Sequence, residues 1–142
     1  MSAIYSSSGL PATNLAGQQL THAPENSFTL AGTYNWDVNI FGGLTAFAHA
    51  DLRWTDEINT GSDLDPEKLQ AAYTVANVRF GFGSKTGSWR VELWANNVLD
   101  EEYLQLVFDS PVQNTAGNQA LESYSSFLGD PRTTGVTLGL RF

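Results

Sequence analysis

His49 and Asp51 stand two residues apart, and on a β-strand that spacing puts both side chains on one face. A His–carboxylate pair beside a hydroxyl or a bound water is the minimum equipment for acid–base hydrolysis. No other His has a carboxylate neighbour within a strand-like stretch; His22 lies two residues before Pro24 and reads as a surface loop residue. For the His49–Asp51 pair, a hydrogen-bonded position on a polar sheet face explains the residues as well as catalysis does. Asp63, Asp65 and Glu67 alternate as Ca²⁺ oxygen ligands do, but the full twelve-residue loop pattern is absent and a solvated acidic loop accounts for them. With 0 Cys, disulfides and thiolate metal sites are excluded. The sequence therefore assigns no catalytic, cofactor or metal residue, and the expectation is a non-enzyme without a cofactor.

The elements that hold these residues read with a period of two almost throughout. About five strands emerge. Residues 27–37 place Phe28, Leu30, Tyr34 and Trp36 on one face, and residues 43–55 place Leu44, Leu52 and Trp54 opposite His49, Asp51 and Arg53. Residues 72–83 oppose Val78, Phe80 and Phe82 to Arg79. A fourth strand starts at Ser88 and opposes Trp89, Val91 and Leu93 to Arg90 and Glu92. Residues 134–142 oppose Val136, Leu138, Leu140 and Phe142 to Arg141. The one helical signal is a short turn at residues 65–69, with Pro66 at its first position.

A soluble sandwich buries one face of each strand, and a membrane barrel turns that face to lipid. Strands of about 9 to 16 residues exceed the usual 5 to 6, and the polar faces carry Asp51, Arg53, Arg79, Arg90, Glu92 and Arg141. The connections alternate as well: 38–42 short, 57–70 long, 84–87 short, 108–132 long. Outer-membrane barrels pair short periplasmic turns with long extracellular loops. Trp36, Phe82, Trp89 and Phe142 then fall at the periplasmic ends of the apolar face, and Phe28 and Trp54 at the outer ends, as two interfacial belts do. The net charge of -8 with 7 Lys+Arg argues against nucleic acid. No stretch of 18 apolar residues is present, so no transmembrane helix is expected. Residues 1–17 lack a basic region followed by an apolar core, so they do not read as a signal peptide, and a fragment or a different start is expected.

Asn97-Val98-Leu99-Asp100-Glu101-Glu102-Tyr103 resembles the Asn-Leu-Phe-Asp-x-x-Tyr signature of TonB-dependent outer-membrane receptors. Gly17 to Pro24 is similar to a Gly-x-x-Leu-x-x-x-Pro segment that the family carries upstream. Gly129-Asp130-Pro131-Arg132-Thr133 is similar to the entry to its last strand, and Leu138-x-Leu140-x-Phe142 to the C-terminal signal read by the barrel-assembly machinery. The one departure is Val98-Leu99 in place of Leu-Phe, a conservative change.

The resemblance implies an all-β fold: residues 27–142 as the C-terminal strands of a transmembrane barrel, an open curved sheet in isolation, with residues 1–26 an irregular, extracellular-loop-like segment. It implies location in the Gram-negative outer membrane and energised uptake of a scarce nutrient, foremost an iron–siderophore complex. The partners it implies are outer-membrane lipid, the missing N-terminal strands and plug domain, TonB through that missing part, and the assembly machinery through Phe142. The family-motif positions are Asn97, Leu99, Asp100, Tyr103, Pro131, Arg132 and Phe142. Tyr124, Phe127, Asn118, Gln119 and Glu122 would suit a sugar or an aromatic siderophore, and equally a loop packed on its neighbours, so no ligand-binding residue is assigned. The alternative class is a soluble β-sandwich that binds a ligand or carbohydrate. Three finer expectations follow. A tight turn at Lys85-Thr86 pairs Phe82 with Trp89, Phe80 with Val91 and Val78 with Leu93; Arg79 then meets Glu92 across the strands; and the ladder breaks in a bulge near Asn97.

Overall fold

The computed structural model describes residues 4–5, 11–12, 17–39, 43–62, 64–110 and 123–142. These form β1 (Ile4–Tyr5), β2 (Pro11–Ala12), β3 (Ser27–Val38), β4 (Leu44–Thr55), β5 (Ile58–Asn59), β6 (Leu69–Gln70), β7 (Tyr73–Ser84), β8 (Trp89–Asn96), β9 (Leu104–Asp109), β10 (Tyr124–Leu128) and β11 (Thr133–Leu140). A single 3-10 turn, Pro66–Lys68, precedes β6 with its proline at the first position. The class is all-β, and no α-helix occurs among the described residues.

Five strands make one antiparallel sheet in the order β11-β8-β7-β4-β3. It is an open meander with β3 and β11 at its edges, not a closed barrel. Alternation explains the two faces. One lateral row runs Trp36, Ala46, Phe82, Val91, Leu138, and the next runs Tyr34, Ala48, Phe80, Leu93, Val136. Rows of the opposite face run Thr33, His49, Arg79, Trp94, Gly135 and Ala31, Asp51, Asn77. Val78, Val91 and Leu138 thus share the apolar side, and Arg79 and Glu92 the polar side, as the sequence predicts.

The apolar side is open. Leu30, Tyr34, Val136, Leu138 and Leu140 are all exposed, and among the described residues no second sheet is packed on them. Its aromatics gather at two ends. Phe28 stacks on Trp54 with centroids 5.5 Å apart. At the other end Tyr34, Trp36, Phe80, Phe82 and Trp89 touch in sequence, closing on a T-shaped Phe82–Trp89 contact at 6.0 Å. Phe28 and Trp36 lie eight residues apart on β3, about 27 Å at ~3.4 Å per residue.

Four expectations need correction. The β7–β8 register is two residues later than the tight turn implied: Phe82 pairs with Val91, Phe80 with Leu93 and Val78 with Ala95. The cause is the turn. Gly87 N–H donates to the Ser84 carbonyl at 2.9 Å, and Gly87 sits at φ 73°. Gly87 is thus the third of the four loop residues 85–88, in a left-handed conformation where a residue other than glycine is strained. Arg79 consequently faces Trp94, and Glu92 pairs with Arg90 of its own strand at 2.9 Å, so the Arg79–Glu92 pair does not form. The stretch read as a long loop at 108–132 contains most of the β9–β10 hairpin, and the loop at 57–70 contains the β5–β6 pair. Finally, β1 and β2 pair within the N-terminal segment read as irregular. Part of the first turn, residues 40–42, lies outside the described residues.

Because the chain has no cysteine, the register is directly testable. Phe80→Cys with Leu93→Cys should cross-link on mild oxidation, since directly opposed Cβ atoms lie roughly 4.5–5.5 Å apart. Phe80→Cys with Val91→Cys should stay reduced. The reverse result on non-reducing gels would restore the tight-turn register.

Candidate functional site

β8 stops at Asn96, and the next residue organises the loop end of the sheet. Asn97 adopts φ 49°, a left-handed conformation that Asn tolerates better than most residues because its short amide bonds locally. Its side chain, 2% exposed, reaches three backbone groups. Nδ2 donates to the Glu101 carbonyl at 2.9 Å and to the Asp130 carbonyl at 3.0 Å, while Oδ1 accepts from the Glu101 N–H at 3.0 Å. The Asn97 N–H donates to Asn77 Oδ1 at 3.0 Å, and the Val98 N–H donates to the Ala76 carbonyl. The ladder breaks here as expected, but in a tight turn closed by the Asp100 N–H on the Asn97 carbonyl, not in a bulge within a continuing strand.

The other motif residues build on that turn. Asp100, at φ 58°, pairs with Arg132 at 2.9 Å across the entry to β11. Tyr103 is buried and stacks on Tyr73 at 4.4 Å with 10° between the rings. Its carbonyl accepts from Gly129 N–H at 2.7 Å, and its ring lies so close to Gly129 that an added Cβ would sit 2.1 Å from Cζ. A glycine is therefore required where the chain returns from β10 towards β11. Asn97, Asp100, Tyr103 and Arg132 form one assembly, whereas Leu99, Pro131 and Phe142 are exposed. Nothing in the structure explains Leu99.

Above this assembly lies a buried cation that the sequence reading passed over. Lys68 is 1% exposed and pairs with Asp109 at 2.7 Å and Asp65 at 3.4 Å, with its ammonium 5.5 Å from the Tyr124 ring centroid. Burial of a charge demands such partners. The Lys68 carbonyl accepts from Thr60 N–H and Oγ1, and the Thr60 carbonyl accepts from Val107 N–H, which ties the β5–β6 and β9–β10 hairpins together. The available signal was that Lys68 is the sole cation in the acidic stretch 56–72. Asp65 of the acidic triplet is thus engaged by a lysine. Asp63, Asn118, Gln119 and Glu122 lie outside the described residues.

On the polar face His49 and Asp51 do meet, Nε2 to Oδ1 at 3.5 Å. Thr33 Oγ1 and His49 Nδ1 share a 2.7 Å hydrogen bond, and Asn77 Nδ2 donates to Asp51 Oδ2 at 2.8 Å. Asn77 in turn receives the Asn97 amide, so a polar chain runs from β3 to the turn assembly. This is the hydrogen-bonded reading of the pair. Beside this chain, beneath the turn, opens a cleft of about 440 Å³. No group of three or more His, Cys, Asp or Glu among the described residues has the geometry to hold a metal ion.

Compared with known proteins, the chain matches no family model, no curated protein and no solved structure.

Two substitutions separate the strong contacts from the weak. Asn97→Ala removes three side-chain hydrogen bonds and leaves alanine in a left-handed conformation, so unfolding by urea in detergent micelles should show a loss of about 2–4 kcal/mol. Arg132→Ala removes an ion pair whose members are both about half exposed, and should cost under about 1 kcal/mol. Equal losses would mean that the turn is not held by Asn97.

Proposed function

We propose that the chain supplies C-terminal strands of the barrel of a TonB-dependent outer-membrane receptor, which takes up a scarce nutrient, foremost an iron–siderophore complex. The observation that carries this reading is an uncovered apolar face with aromatic clusters at both ends. A separation of about 27 Å along a strand becomes ~20 Å of height once the strand tilts by ~40°, near the ~25 Å apolar band of outer-membrane barrels. The motif residues add support, since Asn97, Asp100, Tyr103 and Arg132 converge on one turn.

The edges of the sheet define the partners. Five strands are too few to close, as the smallest membrane barrels use about eight. In lipid, each unpaired backbone group at an open edge costs several kcal/mol. On this reading further strands flank β3 and β11, and a plug domain fills the space against the polar face. TonB acts through that plug, and the exposed Phe142 presents the assembly signal. A soluble sandwich would require a second sheet over the apolar face, and the described residues contain none.

The four tryptophans test the orientation. Trp36, Trp54 and Trp89 lie on the apolar side and Trp94 on the polar side. Single-tryptophan variants, the others changed to Phe, should divide when the chain is reconstituted into phosphatidylcholine vesicles. Trp89 emission should be quenched by brominated lipid, and Trp94 emission by aqueous acrylamide. Aqueous quenching of both would sink the membrane reading. For the cargo, disrupting the coding sequence in its host should abolish uptake of a radiolabelled ferric siderophore, and uptake at the parental rate would remove that assignment.

A further inference from the structure

The cleft beneath the turn assembly is lined by Thr29, Arg53, Asn96, Thr133 and Asp130, with Asp51 and Asn77 in its wall. Its volume, about 440 Å³, lies within the common range for small-ligand sites, roughly 300–1,000 Å³. Arg53 sets its chemistry. The cross-strand neighbours of Arg53 are Thr29 and Val75, neither of which is charged. The carboxylate two residues along the same face, Asp51, already has one oxygen on His49 and the other on Asn77. Among the described residues Arg53 makes no ion pair, and the side chains of Thr29, Asn96 and Thr133 make no hydrogen bond.

The wider face has the same sign. Arg53, Arg79 and Arg90 lie on it. Arg141, one residue past β11 with its amide on the Ser88 carbonyl, keeps the parity of Gly139. Against these four cations stand Asp51 and Glu92, while Asp37 and Lys85 pair with each other. A cationic face in a chain of net charge -8 is not a product of composition.

We propose that this cleft binds a small hydroxycarboxylate group, with the Arg53 guanidinium as counter-ion. A guanidinium presents a planar fork of N–H donors that matches a carboxylate at both oxygens. Thr29, Asn96 and Thr133 supply neutral donors beside it, and the Asp130 carboxylate accepts from a ligand hydroxyl. The proposal rests on the receptor reading, in which the loop end of the polar face, above the plug, is the part that a ligand meets.

The test uses the whole chain in lauryldimethylamine oxide micelles, with citrate as the probe. Calorimetry should show saturable binding, and the Arg53 Nε–H resonance should move with the same midpoint. Tricarballylate, which lacks the hydroxyl, should bind more weakly, and glucose should leave the resonance in place. Arg53→Gln should weaken citrate binding about tenfold or more, with Arg53→Lys intermediate because a point charge lacks the fork. Arg90→Gln, outside the cleft, should bind as the parent does. Unchanged affinity in Arg53→Gln, or an equal response to sulfate, would overturn the proposal. Failure with citrate while Trp89 is quenched by lipid removes the cleft alone; citrate binding without lipid quenching removes the receptor reading alone.

Discussion

Backbone hydrogen bonds between neighbouring strands hold the main sheet, and the other features of the fold are arranged around them. β3, β4 and β7 pair along twelve residues each, and β8 and β11 along eight. Neither face of this sheet has a packed layer among the described residues, so burial of side chains contributes little to it. Among the described residues four apolar side chains are buried; Ala46 alone belongs to the sheet, whereas Ile58, Tyr103 and Val107 lie in the loop cluster. Such a ladder is sound where the solvent cannot compete for its hydrogen bonds, as in lipid, and weak in water, where stability follows from apolar burial. The apolar side of the sheet thus calls for a cover that the described residues do not supply.

This arrangement explains which features are legible in the sequence. Face assignment depends on parity alone, and the parity of Val78, Val91, Arg79 and Glu92 can be read without any neighbour. Register is harder, because a slip of two residues leaves every side chain on its original face. The β7–β8 pairing is fixed by the turn, and Lys85-Thr86-Gly87 carries the decisive clue in its third residue, a glycine at positive φ. Read as a two-residue loop, the same segment gives the wrong partners with the right faces. Strands β9 and β10 were illegible for another reason. Their pairing joins segments fourteen residues apart in sequence, and nothing in Leu104–Asp109 separates a strand from an apolar loop.

The motif shows a similar division. Its residue types are visible, and Asn97 and Asp100 are residues that accept a left-handed backbone. What they do is not visible, because the partners of Asn97 lie at Glu101, Asp130 and Asn77, on three different segments. The consequence is positional. One amide sets the end of β8, the start of the loop and the return into β11, so the last strand is aligned by a contact outside its own ladder. Gly129 contributes by letting the Tyr103 ring lie against the returning backbone.

Charge is distributed by the same geometry. Of the thirteen described Asp and Glu, Asp37, Asp51 and Glu92 lie in the strands of the main sheet, and the other ten lie outside them. Asp100, Glu101 and Asp130 border the turn held by Asn97, next to the cleft that Arg53 lines. An anion approaching Arg53 therefore crosses an acidic rim before it reaches a cationic wall. Added salt acts on these two regions in opposite directions. Screening over a Debye length of about 8 Å lowers the repulsion at the solvent-exposed rim, which favours entry. The same screening weakens the contact with Arg53, itself exposed, which favours exit. Free citrate therefore enters best at moderate salt, where the rim is screened, and a ligand that keeps a single free carboxylate for the arginine meets the smaller barrier.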